Sequence, residues 1–70
     1  MENSEAYSIM KALMEKNLLV IRNQELVEWL YRLYSTRQIT KEEVQDLLEL
    51  AHQLNICDLP INEALLAIFN

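Results

Sequence analysis

His52 and Cys57 are the one histidine and the one cysteine of the chain, five positions apart. A thiol beside an imidazole is the pairing that nucleophilic catalysis uses. That chemistry also needs a third, orienting group and an oxyanion site, and the sequence offers neither. The two residues therefore read as a surface histidine and a buried small thiol. With Asp58 they make a mixed set of three ligands, at a spacing that matches no zinc motif. Glu42, Glu43, Asp46 and Glu49 form the one carboxylate cluster. Paired acids do acid–base work when a pocket drives their pKa values apart; four acids at helical spacing describe a solvated face. Glycine is absent, and with it the loop that cradles phosphates. The expectation is a protein that is not an enzyme and takes no cofactor and no metal.

Trp29, Tyr31 and Tyr34 are more suggestive. Trp and Tyr are enriched at binding hot spots because each joins a large apolar area to a polar handle. Together with Leu66 and Phe69 near the other end of the chain, they make a candidate partner or oligomer surface, since monomers seldom expose such a patch unused. Glu42, Asp46 and Glu49 are the candidate acidic face.

Composition narrows the classes further. Seventy residues make one domain. Lys+Arg 6 against Asp+Glu 11 gives a formal charge of −5, the wrong sign for holding a phosphate backbone. The imbalance is local: residues 1–37 carry five basic and five acidic groups, residues 38–70 one Lys against six acids. A DNA-reading helix-turn-helix is disfavoured for the same reason, because its third helix would present Glu42, Glu43, Asp46 and Glu49 to phosphates. No direct nucleic-acid partner is expected. The lone cysteine excludes an internal disulfide. The acidic start, Met1-Glu2-Asn3-Ser4-Glu5, is unlike a secretory signal. No apolar run approaches the ~20 residues of a membrane span, so the expected location is the cytoplasm.

These side chains must be positioned by helices. Leu (13) and Ile (6) dominate, Val (3) and Thr (2) are scarce, and a chain without glycine lacks the usual hairpin-turn residue. The pattern predicts an all-α fold, a compact bundle of three to four short helices over about 4–17, 24–36, 41–54 and 60–69. Asn3 or Ser4 caps the first, whose inward stripe is Ala6, Ile9, Met10, Leu13 and Met14; Asn17 ends it. Leu18 to Ile21 form a short buried connection, or alternatively a helical turn. Asn23 caps the second helix, with Leu26, Val27, Leu30, Leu33 and Tyr34 inward and Trp29 and Tyr31 outside that stripe. Ile39-Thr40-Lys41-Glu42-Glu43-Val44 is a capping box with a hydrophobic staple, the clearest local signal in the chain. The third helix turns Val44, Leu47, Leu48, Ala51 and Leu54 inward and ends at Asn55. Asp58 caps the last, with Pro60 in its first turn and Ile61, Ala64, Leu65 and Ile68 as its stripe.

Three helix starts look alike: Gln24-Glu25-Leu26, Glu42-Glu43-Val44 and Asn62-Glu63-Ala64, spaced by 18 and 20 residues. The economical reading is that amphipathic helices begin acidic and continue apolar; a repeated helical hairpin is the alternative. Residues 33–48, L-Y-S-T-R-Q-I-T-K-E-E-V-Q-D-L-L, resemble the Ile-Thr-x-Glu-Glu step of SHOCT-type short helical domains and of XkdX-like phage tail-region proteins. The match covers about a quarter of the chain. Gln38 stands where those modules usually have glycine, and residues 49–70 have no counterpart in them. The resemblance implies a small module of phage or prophage origin and transfers no functional residue.

Size sets the energetic problem. Below ~70–80 residues one core rarely supplies more than ~3–5 kcal/mol, so the chain must pack its helices unusually well or bury surface on another chain. The expected function is that of a small acidic interaction module, regulatory or accessory, working through its aromatic helix surface on a protein partner or in a homodimer. The alternative is a phage-type acidic inhibitor that mimics nucleic-acid charge against a basic site on a host protein.

Overall fold

A computed structural model describes residues 4–69 of the chain. It contains four helices: α1 (Glu5–Glu15), α2 (Asn23–Ser35), α3 (Lys41–Gln53) and α4 (Ile61–Phe69). The fold is an all-α bundle, and each helix ends within two residues of its expected limit. Asn3, the alternative cap of α1, lies outside the described residues; Ser4 does the capping, its hydroxyl accepting from the Tyr7 amide at 3.4 Å.

α3 opens on the complete capping box. Thr40 Oγ1 accepts from the Glu43 amide at 3.1 Å, and Glu43 Oε1 accepts from the Thr40 amide at 2.8 Å. Ile39 and Val44, the expected staple, are both buried.

Three helices stop in the same way. After α1, the Leu18 amide donates to the Leu13 carbonyl at 2.8 Å and the Asn17 amide to Met14 at 3.1 Å, with Asn17 left-handed at φ 58°. After α2, Gln38 donates to Leu33 and Arg37 to Tyr34, with Arg37 at φ 63°; after α3, Ile56 donates to Ala51 and Asn55 to His52, with Asn55 at φ 60°. This paired pattern is the Schellman motif, which glycine usually serves. Here asparagine serves it twice, as its tolerance of that region allows, and arginine once, at a steric cost.

The long-range bonds reveal the topology. The Ser4–Glu43 and Tyr7–Asp46 hydrogen bonds each span 39 positions. Equal offsets three residues apart require α1 and α3 to run side by side in one direction. Asn23–Asp58 and Tyr34–Phe69 are likewise each 35 apart, so α2 and α4 are parallel too. The molecule is therefore two parallel helix pairs, α1 beside α3 and α2 beside α4, joined where α3 packs on α2 and α4. Asn17 after α1 and Asn55 after α3 are the left-handed stops of one parallel pair, 38 residues apart. The three similar segments open α2, α3 and α4, as acidic-then-apolar starts of amphipathic helices do.

The core is one cluster built from all four helices, with Leu26, Leu30, Val44, Leu47 and Ala51 sealed from solvent. Several expectations need correction. α1 buries Tyr7, Met10 and Met14, whereas Ile9 is 53% exposed; the stripe is rotated because the Tyr7 hydroxyl has a partner on α3. Asn23 does not cap α2: it is itself left-handed at φ 48° and its Oδ1 accepts from the Asp58 amide at 2.8 Å. Asp58 does not cap α4 either, since the first helical bond there runs from the Ala64 amide to the Pro60 carbonyl, two residues beyond it. Leu18 to Ile21 are not uniformly buried. Leu19 and Ile21 pack on the core while Leu18 and Val20 face solvent, the alternation of an extended segment. Leu54, expected inward, is exposed at the end of α3.

Candidate functional site

α1 packs on α3, and α2 packs on α4 and α3, but α1 and α2 scarcely meet. The wedge between them is an apolar groove of about 370 Å³. Ile9 and Leu13 form its α1 wall, Trp29 and Leu33 its α2 wall, and Val20 and Ile21 close one end. Val20 is 89% exposed and Trp29 43%, so both stand on the lip. The Arg32 guanidinium lies 5.7 Å over the Trp29 ring, a cation–π contact.

The five residues of the expected aromatic surface do not make one patch. Trp29 and Tyr31 are two residues apart on a helix, about 200° of rotation, and leave α2 on opposite flanks. Trp29 belongs to the groove; Tyr31 is half exposed on the far side. Tyr34 and Phe69 meet edge to face, centroids 4.8 Å apart at 71°, and close the α2–α4 seam, with Lys41 Nζ 5.1 Å over the Phe69 ring. Leu66, 65% exposed, borders a shallow hollow with Asn62, Leu65 and Phe69. The structure thus joins Tyr34, Phe69 and Leu66 at one end of the bundle and places Trp29 elsewhere.

Sequence reasoning missed the groove residues Ile9, Leu13 and Val20 by assigning them to the core. A signal was present. α1 carries two adjoining stripes, Tyr7-Met10-Met14 and Ala6-Ile9-Leu13, more apolar arc than one core contact consumes.

The fold separates one acid of the cluster from the other three. Glu42, Asp46 and Glu49, the expected face, are all exposed, whereas Glu43, the fourth acid of the cluster, is buried, 8% accessible. Its Oε2 accepts from the Ser4 amide at 2.9 Å, and its Oε1 accepts from the Ser4 hydroxyl at 2.8 Å as well as from the Thr40 amide. One carboxylate thereby fastens the N-termini of two parallel helices, whose dipoles favour a negative charge there. Burial pushes the Glu43 carboxyl up, but the bonds from Thr40 and Ser4 outweigh it, and the group titrates below the ordinary carboxylate value. Asp46 accepts a hydrogen bond from the Tyr7 hydroxyl. That bond first, then burial and the neighbouring acids, pushes the phenol up to about 12.

His52 is exposed and Cys57 is a buried free thiol. Among the described residues no three His, Cys, Asp or Glu side chains come together as metal ligands, and no helix is long and apolar enough to cross a membrane. Comparison with protein-family models, with curated proteins and with solved structures finds no match to this chain.

Proposed function

We propose that this chain is a protein–protein interaction module, accessory or regulatory rather than catalytic, and that it docks through the α1–α2 groove. The observation that carries this reading is the groove itself: apolar walls, with Ile9, Val20 and Trp29 turned to solvent at their edges. Water against such walls is unfavourable by roughly 25 cal/mol per Å², and a partner that fills the groove recovers that free energy. Trp29 is the anchor, large, held in place by Arg32, and half exposed before docking.

The test uses an environment-sensitive apolar dye on dilute protein. The parent chain should bind it, and Trp29→Ala and Val20→Asp should reduce binding about tenfold, while Glu49→Ala and Leu66→Asp leave it unchanged. Equal binding by all five proteins would refute the groove as the docking surface. The acidic-mimic reading stands second, because the fold already engages Asp46 with Tyr7 and uses Glu43 as a cap. It requires binding that weakens steeply with salt, and apolar docking does not.

A further inference from the structure

We infer that α1 is a hinged flap, latched to α3 by Glu43 and Asp46, that undocks as a unit on the tether of residues 16–22 while α2, α3 and α4 stay packed together. The packing gives the first argument. α2, α3 and α4 each pack on both of the others and so close a core among themselves, whereas α1 packs on α3 and makes few contacts elsewhere. An element with one packing partner opens more readily than elements with two. The buried face of α1 also differs in kind. It consists of Tyr7, Met10 and Met14, and these two are the methionines of the described residues. Apart from Glu43, the other helices bury only Leu, Val, Ile and Ala. Methionine is unbranched and adaptable, and it specifies one packed arrangement less tightly than branched side chains do.

The polar contacts give the second argument. Among the described residues, the hydrogen bonds that run from α1 and its cap to the rest of the bundle end on two α3 carboxylates. Glu43 accepts from the Ser4 amide and hydroxyl, and Asp46 accepts from the Tyr7 hydroxyl. They hold α1 by its first turn. The far end of the tether is fastened elsewhere, to the link between α3 and α4. Arg22 Nη1 donates to the Asn55 carbonyl at 3.3 Å, and Asn23 Oδ1 accepts from the Asp58 amide at 2.8 Å. The pivot therefore lies before Arg22, and opening stops there. Once undocked, a helix of 11 residues is too short to persist in water, so opening also melts it. It bares the α1 side of α3, where Leu50 shares a crevice with Lys11 and Glu15. It also removes Ile9 and Leu13, one wall of the apolar groove, so the groove belongs to the closed form alone.

The experiment is amide hydrogen exchange of the full chain, read by nuclear magnetic resonance at neutral pH over a series of urea concentrations below the unfolding midpoint. The Met10 and Met14 amides report on α1; the Leu30, Leu48 and Ile68 amides report on the other three helices. In the parent, the α1 opening should be at least about tenfold more populated than that of the other helices. It should also depend less on urea, because it exposes less surface. Tyr7→Phe keeps the ring and removes the bond to Asp46, and should raise the α1 opening about threefold or more; Glu43→Gln should raise it at least about tenfold. Should Glu43→Gln fail to fold, Tyr7→Phe, which leaves the Glu43 bonds in place, decides alone. Leu66→Gly lies on the exposed side of α4 and lowers its helix propensity. It should speed exchange at Leu30, Leu48 and Ile68 about threefold and leave Met10 and Met14 unchanged. One opening shared by all four helices, with a single urea dependence and a common response to Leu66→Gly, would overturn the flap. A separate α1 opening that Tyr7→Phe and Glu43→Gln leave unchanged would overturn its latching by the α3 carboxylates.

Discussion

Glu43→Gln tests the junction between α1 and α3. The carboxylate receives three donors, the Ser4 amide, the Ser4 hydroxyl and the Thr40 amide, at 2.8–2.9 Å. The substitution is nearly isosteric, so it probes bonding and not volume. A glutamine keeps one acceptor oxygen and turns an NH₂ toward one of the two amides, so at least one donor loses its partner and the others lose a charged acceptor. Bonds to charged groups contribute about 1.5–3 kcal/mol each, and an orphaned donor costs about 1–3 kcal/mol. The expected loss is therefore about 2–4 kcal/mol, most of what a domain this small possesses. Urea denaturation followed by far-ultraviolet circular dichroism measures it. Thr40→Ala, which removes only the reciprocal cap, should cost about 1 kcal/mol. Ser4→Ala and Glu43→Gln share a bond and should couple by at least about 0.5 kcal/mol in a double-mutant cycle. If Glu43→Gln lies within about 0.5 kcal/mol of the parent, or shows no coupling to Ser4→Ala, the shared-carboxylate account is wrong.

Three other outcomes follow from the same structure. Because Glu43 titrates below its ordinary value near 4.5 when folded, its contribution is complete above that pH and lost as pH falls through the folded value; acid titration of stability should flatten in Glu43→Gln. The Tyr7 phenol is raised from 10.0 to about 12, so its contribution is complete below pH 10 and lost between there and about 12; Tyr7→Phe should abolish the alkaline step that coincides with tyrosinate absorbance. Arg37 is left-handed, which costs an L-residue roughly 1–2 kcal/mol; after the entropy glycine adds to the unfolded chain, Arg37→Gly should stabilise by about 0.5–1 kcal/mol, read as a higher melting temperature.

What was legible in the sequence was local. The Thr40–Glu43 box, the asparagine stops at 17 and 55 and the four helices all depend on residues within a turn of one another. What was not legible depended on residues far apart. Tyr7 stands outside the expected α1 stripe, and its partner, Asp46, lies 39 positions on. Asn23 was a sound cap by type, and only the nearness of Asp58 explains why its side chain turns away. The groove was hidden for a related reason. An apolar stripe on α1 shows that something covers it, and only the divergence of α1 from α2 shows that the chain itself does not.

That divergence also sets an order of events. On a growing chain α1 precedes α2, yet the helix that follows it offers little to pack against. The residues that receive Ser4 and Tyr7 arrive 39 positions later. Loop closure over that distance has to be achieved before its contacts return any free energy. Until α3 follows, α1 and α2 are two amphipathic segments with little to close against each other, and α3 gives α1 its place. The closing of α1 thus waits on residues 41–53, which supply its packing partner.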